Sequence, residues 1–271
     1  MADNTAQMLV RVVNTNAQMA VRVVGESGVP SLFAEQLLDI LGDTRVLWIP
    51  LSSDTTASTE KSRAARVFTY DATIAARLST QGQLQTVDFD GTDDEADTPD
   101  ANGLSFGDGT VDQPFSVIVL CKPDVNNAAM TLLAKENAST AEEWGLELNA
   151  SGHLVLRLTD ESASAILTGT FATAVGTGWV LLGATYDGDR ASVGIRCYKN
   201  GARQTTAAGG SGTYVAMENT AALVHLGARY STKAQFFNGP MALAIVVGRM
   251  LSEDEMWAIK TLVNAYADLS L

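Results

Sequence analysis

The chain reads as an all-β protein, an antiparallel sandwich or jelly roll. Short runs of β-branched and aromatic residues recur between turn signals, with almost no helical periodicity between them. The composition agrees: 23 Gly stand against 6 Pro, and charged residues are only 18% of the chain, below the roughly 25% of ordinary soluble domains. Much of the surface is therefore Ser, Thr, Asn, Gln and Gly, which suits tight turns. The expected organisation is an arm over residues 1–30, a short helix over 31–43 and the sandwich over 44–271.

The arm contains a duplication. Ala6-Gln7-Met8-Leu9-Val10-Arg11-Val12-Val13 recurs as Ala17-Gln18-Met19-Ala20-Val21-Arg22-Val23-Val24. Both copies alternate and are rich in valine, so both read as strands, and Asn14-Thr15-Asn16 between them reads as a polar turn. A lone two-stranded hairpin is marginal in water and must find a sheet. Packing on its own domain is one solution. The other is an assembly arm whose edge strands pair with a neighbouring subunit through Met8, Val10, Val12, Met19, Val21 and Val23.

Ser31 is positioned to cap the following helix, whose stripe Leu32, Phe33, Leu37, Leu38 and Leu41 ends at Gly42. Val46–Leu51 then reads as a buried strand and Ser52–Arg66 as a polar loop. Further strands are expected at Leu84–Phe89, Phe115–Cys121, Leu132–Lys135, Trp144–Leu148, Leu154–Leu158, Trp179–Tyr186, Val193–Lys199, Leu223–Leu226 and Met241–Val247. Asn149–Gly152, Asp187-Gly188-Asp189 and Asn200-Gly201 mark turns. Ser252–Ala267 is a helix: Ser252 caps it, Glu253–Glu255 favour its positive end, and Met256, Ile259, Leu262 and Val263 face inward.

Several functions are excluded by composition. With 18 Lys+Arg against 31 Asp+Glu, the net charge is −13, and no basic run offers a footprint for nucleic acid. No apolar run approaches the ~20 residues of a membrane span. The start Met-Ala-Asp-Asn-Thr lacks the basic and apolar regions of a secretory signal. The two cysteines, Cys121 and Cys197, lie in separate strands and read as buried reduced thiols.

The order of elements resembles the concanavalin A-like, laminin G-type jelly roll from Thr44 to Val263. The residues that carry the resemblance are Leu47-Trp48-Ile49-Pro50-Leu51, Phe89-Asp90-Gly91-Thr92-Asp93-Asp94, and Phe115-Ser116-Val117 with Lys122-Pro123. They continue with Trp179 to Tyr186-Asp187-Gly188, Tyr198-Lys199-Asn200-Gly201, Phe237-Asn238-Gly239-Pro240 and Arg249 to Glu255. Leu120 stands where the family often carries Trp, a difference of packing. The fold hosts lectins, glycosidases, adhesion modules and viral structural parts, so activity rests on the site.

Glu143-Trp144-Gly145-Leu146-Glu147 resembles the Glu-x-Asp-x-Glu strand of laminarinase-type glycosidases, with the central acid replaced by Gly145. On one strand face Glu143 and Glu147 would stand roughly 13 Å apart at ~3.3 Å per residue, too wide for retention or inversion. They read as a solvated strand edge. His153 and His225 have no nucleophile motif beside them and read as a turn and a strand histidine. No catalytic residue, structural metal or cofactor is expected. Calcium is the exception to weigh, because Asp88, Asp90, Asp93, Asp94, Glu95, Asp97 and Asp100 offer hard oxygens and related lectin and laminin G modules carry rim calcium. A sugar site would draw on Trp144, Tyr214, Tyr230 and Phe236.

Unsignalled, acidic and preceded by an arm, the jelly roll resembles virion proteins of tailed bacteriophages. The resemblance implies a non-enzymatic structural protein, a surface decoration or accessory protein made in the host cytoplasm and carried on the virion in multiple copies. Its partners would be capsid or tail subunits, reached through the arm, and host surface glycans. The alternative is a carbohydrate-binding, calcium-dependent host-attachment module or a tail or fibre component.

Overall fold

The computed structural model describes residues 10–15, 18–23, 29–71, 77–137, 141–229 and 235–271. In chain order the elements are β1 (Val10–Thr15), β2 (Gln18–Val23), α1 (Val29–Leu41), β3 (Thr44–Trp48), β4 (Ala57–Thr59), β5 (Val67–Tyr70), β6 (Leu78–Gln81) and β7 (Leu84–Asp90). There follow β8 (Ala96–Thr98), β9 (Phe115–Cys121), β10 (Met130–Glu136), β11 (Glu142–Leu148), β12 (His153–Asp160), β13 (Ala165–Ala174) and β14 (Val180–Tyr186). The chain closes with β15 (Arg196–Lys199), β16 (Ala202–Arg203), β17 (Thr206–Ser211), β18 (Val224–Leu226), β19 (Asn238–Val247) and α2 (Glu253–Ala267).

Among the described residues these strands form two antiparallel sheets and a separate hairpin. One sheet runs β17-β13-β12-β11-β10-β18-β8-β5-β4; the other runs β16-β15-β14-β9-β19-β7-β6, with β3 also on β19. The fold class read from the sequence, an antiparallel jelly-roll sandwich with an N-terminal β arm and short helices at the sandwich ends, is observed in its two sheets and two helices, with both helices packed on one sheet. The sheets pack through alternating side chains: Phe115, Val117, Val119 and Cys121 of β9 meet Trp144, Leu146 and Leu148 of β11 and Leu154, Leu156 and Leu158 of β12. At the centre Phe106 stacks on Phe115 at 4.3 Å, and Trp144 and Tyr186 lie 5.8 and 6.1 Å from Phe115. The Trp144 indole N–H satisfies itself on the Leu104 carbonyl at 2.9 Å, as a buried indole must.

The other side chains of β9 and β19 point away from this core and are equally buried. Ile118, Leu120, Leu243, Ile245 and Val247 pack against Phe33, Leu37 and Leu41 of α1 and Met256, Ile259 and Val263 of α2. Both helices therefore cover one sheet, while the outward-pointing residues of the nine-stranded sheet are charged or small and are themselves buried, Arg157 at 5% and His225 at 1% exposed. Leu120 lies in this helix-facing layer. Arg249 joins the two helices: its guanidinium donates to the Ile40 and Leu41 carbonyls at the end of α1 and pairs with Glu255 at 2.6 Å in the first turn of α2. Its bonds to Glu255 hold that carboxyl down to about 2. Ser252 and Glu255 form a full capping box. Ser252→Ala should cost about 1 kcal/mol, read as a lowered urea midpoint with an unchanged slope.

Three expectations need correction. The first helix starts at Val29, so Ser31 lies inside it and is not its cap; Pro30 suits the first turn, where no backbone donor is lost. The stretch Ser52–Arg66 is not simply a polar loop. It contains β4, and Glu60 within it is 1% exposed. The Glu60 carboxylate takes the backbone N–H of Leu47, Ser62 and Arg66 at 3.0, 2.6 and 3.0 Å, doing the work of a missing strand partner. Finally, Val193 belongs to a short 3-10 turn, Ser192–Gly194, and the strand begins only at Arg196.

Residues 213–223 connect β17 to β18, two separated strands of the nine-stranded sheet, without a ladder of their own, and side chains fasten them. Asp160 accepts from Val215 N at 2.7 Å, and Asp112 accepts from Met217 N at 2.9 Å. Glu143 accepts from Thr220 N at 2.8 Å, and Lys135 donates to the carbonyls of Thr220 and Ala222 at 3.0 and 3.1 Å. Asp112 also holds the hydroxyls of Tyr186 and Tyr214 at 2.7 and 2.8 Å.

Candidate ligand-binding face

The outer face of the nine-stranded sheet is built by strand alternation. Since Leu156 and Leu158 enter the core, Arg157 between them must point outward, and likewise Gly145 between Trp144 and Leu146. The register aligns Thr168, Arg157, Gly145, Ala134, His225 and Asp97 as directly opposed neighbours across five ladders. Small residues, Gly145 and Ala134, occupy the middle of this row. Charged groups flank them on both sides.

On one flank two guanidiniums bind three carboxylates. Arg157 pairs with Glu142 at 2.7 Å and closely with Glu136, and lies 3.7 Å from Glu147. Arg229 reaches Glu136 at 2.9 Å, Glu142 at 3.5 Å and Glu147 at 3.7 Å. Glu136 and Glu142 are held by close contacts, whereas Glu147 is the loosely held member. Burial pushes its carboxyl up to about 7, with Glu142 adding to the rise and Arg229 opposing it.

The other flank holds His225, 1% exposed, with its Nδ1 at 3.1 Å from Glu95. Ligand oxygens of Asp71, Glu95 and Asp97 lie within 4.8 Å of one another. Burial raises the Asp97 carboxyl and the charge of Glu95 adds to this, while His225 opposes it. This trio is where a hard cation would sit, although calcium takes six to eight oxygens and three carboxylates supply only part of that shell. Asp90, Asp93 and Asp94 also converge, but they fit an ion poorly. Arg77 pairs with Asp90 at 3.4 Å and closely with Asp94, while the backbone of Thr92 and Asp93 donates to Asp90. Asp100 is drawn away to Lys135 at 2.9 Å.

Glu143 and Glu147 are not a solvated strand edge. Their strand β11 lies inside the sheet between β10 and β12. Glu143 is 0% exposed and turns to Lys135 at 2.7 Å and to the Thr220 hydroxyl and N–H, both at 2.8 Å. Burial raises its carboxyl against the pull of Lys135. It is a fastener, committed to a cation and a crossing loop, while Glu147 faces the arginines.

The expected sugar-stacking aromatics are differently employed. Trp144 is 0% exposed in the core, and the Tyr214 hydroxyl is committed to Asp112; Phe236 is half-buried and Tyr230 lies outside the described residues. The exposed indole is instead Trp257 of α2, 55% exposed. It borders a groove of about 840 Å³ between α1 and α2, lined also by Ile40, Asp39 and Leu262. Cys121 and Cys197 are buried free thiols. His153 opens β12 beside its turn.

Of the arm residues, Met8 lies outside the described residues. Val10 pairs with Val23 and Val12 with Val21, and Met19 pairs with Asn14, so these positions share one face of the β1–β2 ladder. Arg11 stands opposite Arg22 on the other face.

Compared with known proteins, the profile of the concanavalin A-like lectin/glucanases superfamily matches residues 90–256, more than half of the chain. Among solved structures, the receptor-binding domain of botulinum neurotoxin D is similar with a TM-score of 0.57 at 10% identity, over 82% of this chain and 53% of that one. A botulinum neurotoxin D ligand-binding domain solved with N-acetylneuraminic acid has a TM-score of 0.55 at 11% identity, over 83% and 52%. Domain 4 of an extracellular arabinanase from Geobacillus stearothermophilus, solved with arabinotriose, has a TM-score of 0.54 at 14% identity, over 80% of this chain and 98% of that one. The chain spans about half the length of the toxin domains. No protein of curated function matches. Among the described residues no helix is long and apolar enough to cross a membrane.

Proposed function

This chain belongs to the concanavalin A-like lectin/glucanase superfamily, and from that premise we propose a non-catalytic, lectin-like structural module. In this reading β1–β2 fixes the chain to a larger particle, and the sandwich meets glycans. The observation that carries it is the division of labour in the fold. The sandwich closes and covers its core through the two large sheets and two helices, while the hairpin forms a two-stranded ladder of its own. A hairpin that completes neither sheet has its outer edges to offer.

Two further observations support the non-catalytic part. Glycoside hydrolysis needs a paired acid and nucleophile or base, and here Glu143 is committed to Lys135 and Thr220. In the arginine cluster Glu136 and Glu142 are held by Arg157 and Arg229, which leaves Glu147 as a single loosely held carboxyl there, one acid where the mechanism needs two. Glycan recognition draws support from the solved neighbours that hold N-acetylneuraminic acid and arabinotriose. The particle that best fits is a bacteriophage virion, with this protein as a surface decoration: an acidic jelly roll on a strand-forming arm needs no stalk to project outward.

The test has two arms. On a broad glycan array the full chain should bind a subset of sugars and release no reducing ends; turnover of any arrayed glycan would overturn the non-catalytic reading. Tagged full chain, made in infected host cells, should co-sediment with particles in a density gradient. The double variant Val12→Pro/Val21→Pro should stay at the top with its sandwich intact by circular dichroism. Full chain that never enters the particle band would remove the virion reading.

A further inference from the structure

We propose that the β17 edge of one molecule accepts the β1–β2 hairpin of a second copy of this chain, extending the nine-stranded sheet by strand addition. The inference rests on the arm's role above and names its partner.

The argument starts from the ends of the sheets. An open sheet edge is a template for another chain, and proteins blunt such edges by shortness, charge, proline or a cover. The branch strand β3 is bonded on its free side by Glu60 and Lys61, and among the described residues three of the four remaining sheet ends are blunted. β4 has three residues and β16 two. β6 is backed by the end of α2, where Gln81 Nε2 donates to the Ala267 carbonyl at 2.9 Å and Gln83 N to the Tyr266 carbonyl at 2.7 Å. The fourth end, β17, is six residues long, Thr206-Ala207-Ala208-Gly209-Gly210-Ser211, with five of the six exposed. It carries no charge and no proline.

The outward backbone of β17 is identifiable. Ala172 N donates to the Thr205 carbonyl at 3.1 Å, so by the two-residue period Ala207, Gly209 and Ser211 also turn toward β13. Thr206, Ala208 and Gly210 then present their N–H and C=O groups away from the sheet. Small side chains along this edge let another backbone approach. The glycines are required by β13 itself, since a Cβ on Gly209 would stand 2.7 Å from Thr168 Oγ1.

The hairpin fits this edge in length and in need. β1 and β2 are each six residues, and their ladder pairs with neither large sheet among the described residues. Two strands alone are marginally stable, and a third supplies what they lack. The hairpin sequence carries Arg11 and Arg22, and a molecule of net charge −13 is a favourable host for it. Five residues separate β2 from α1, a tether of about 20 Å at full extension. Within its own molecule the hairpin pairs with neither large sheet among the described residues, so the acceptor edge is assigned to a second copy. Donor and acceptor are different surfaces, so the contact is head-to-tail and propagates into a ring or a filament.

The experiment uses two full-length variants and sedimentation velocity. Ala208→Pro removes an outward N–H while leaving the β13 ladder its bonds, since proline is tolerated on an edge. Val12→Pro/Val21→Pro changes two opposed residues, which either breaks the hairpin or blocks both its edges. The unaltered chain should associate with rising concentration, and each variant should sediment as a monomer with an unchanged melting temperature. Mixed together, the two variants should form a one-to-one complex, because one retains the arm and the other the acceptor edge. A full chain that remains monomeric at every concentration, association that survives Ala208→Pro, or a mixture that stays monomeric would each overturn the proposal. If Ala208→Pro still enters particles while the arm variant does not, the self-pairing is wrong and the anchoring role stands. If both variants enter, both fail.

Discussion

Glu143→Ala is expected to destabilise the protein by about 3–5 kcal/mol, the range found when one member of a buried pair is removed. Lys135 Nζ, on a side chain that is 0% exposed, would lose its 2.7 Å partner and keep Asp100 at 2.9 Å and two carbonyls. The Thr220 N–H and hydroxyl would lose their acceptor as well. Glu143→Gln retains an acceptor for Thr220 and should cost less. Adding Lys135→Met to Glu143→Ala should recover much of the loss, since the stranded charge disappears with it. Urea melts of the four proteins measure this. A cost below 1 kcal/mol for Glu143→Ala would mean that the crossing segment is held without this pair.

Glu147 gives the second large effect, with a sign that separates it from ordinary carboxylates. Burial raises its carboxyl to about 7 from 4.5. The folded protein therefore binds a proton more tightly than the unfolded chain between those values. Stability from this group is fully present below the unfolded pKa and is lost as pH rises through about 7. Two and a half units correspond to at most about 3 kcal/mol. Glu147→Gln should thus stabilise the protein at pH 8, change it little at pH 4, and flatten the profile between. Thermal melts across that range check the slope. An unaltered profile in the Gln variant would show that Glu147 is ionised and well solvated in the native state.

Legibility followed chemical pattern. Strands with alternating large apolar residues were readable, as was α2, whose Ser252 and Glu255 form the cap expected of them. Weak strands were not: β17 is built of Thr, Ala, Gly and Ser, and in β13 the large residues Ile166, Leu167 and Phe171 fall without alternation among Thr, Ala and Gly. The outer-face charge cluster was missed because its members come from β10, β11, β12 and the segment after β18, and no local spacing links them. One signal was present. Leu154, Leu156 and Leu158 force Arg157 to the opposite face, directly across from Gly145. Glu143 and Glu147 were misread because a strand periodicity cannot tell an interior strand from an edge. The locations of Trp144 and Trp257 followed the same rule: the first alternates with core leucines, and the second lies on the outer side of α2.

The crossing segment at residues 213–223 also constrains the order of assembly. Its fasteners lie far upstream: Asp160 is 55 residues before Val215 and Asp112 is 105 before Met217. A chain emerging from the ribosome lays down those anchors long before it makes the strap they hold, and contacts of such long range close slowly. Until then Lys135 and Glu143 remain hydrated, and the strand set has no fixed lid at that end. Burial of the pair is therefore expected late, with the closing of the strap, and during refolding of the full chain the Thr220 N–H should gain hydrogen-exchange protection after the β9–β14 ladder.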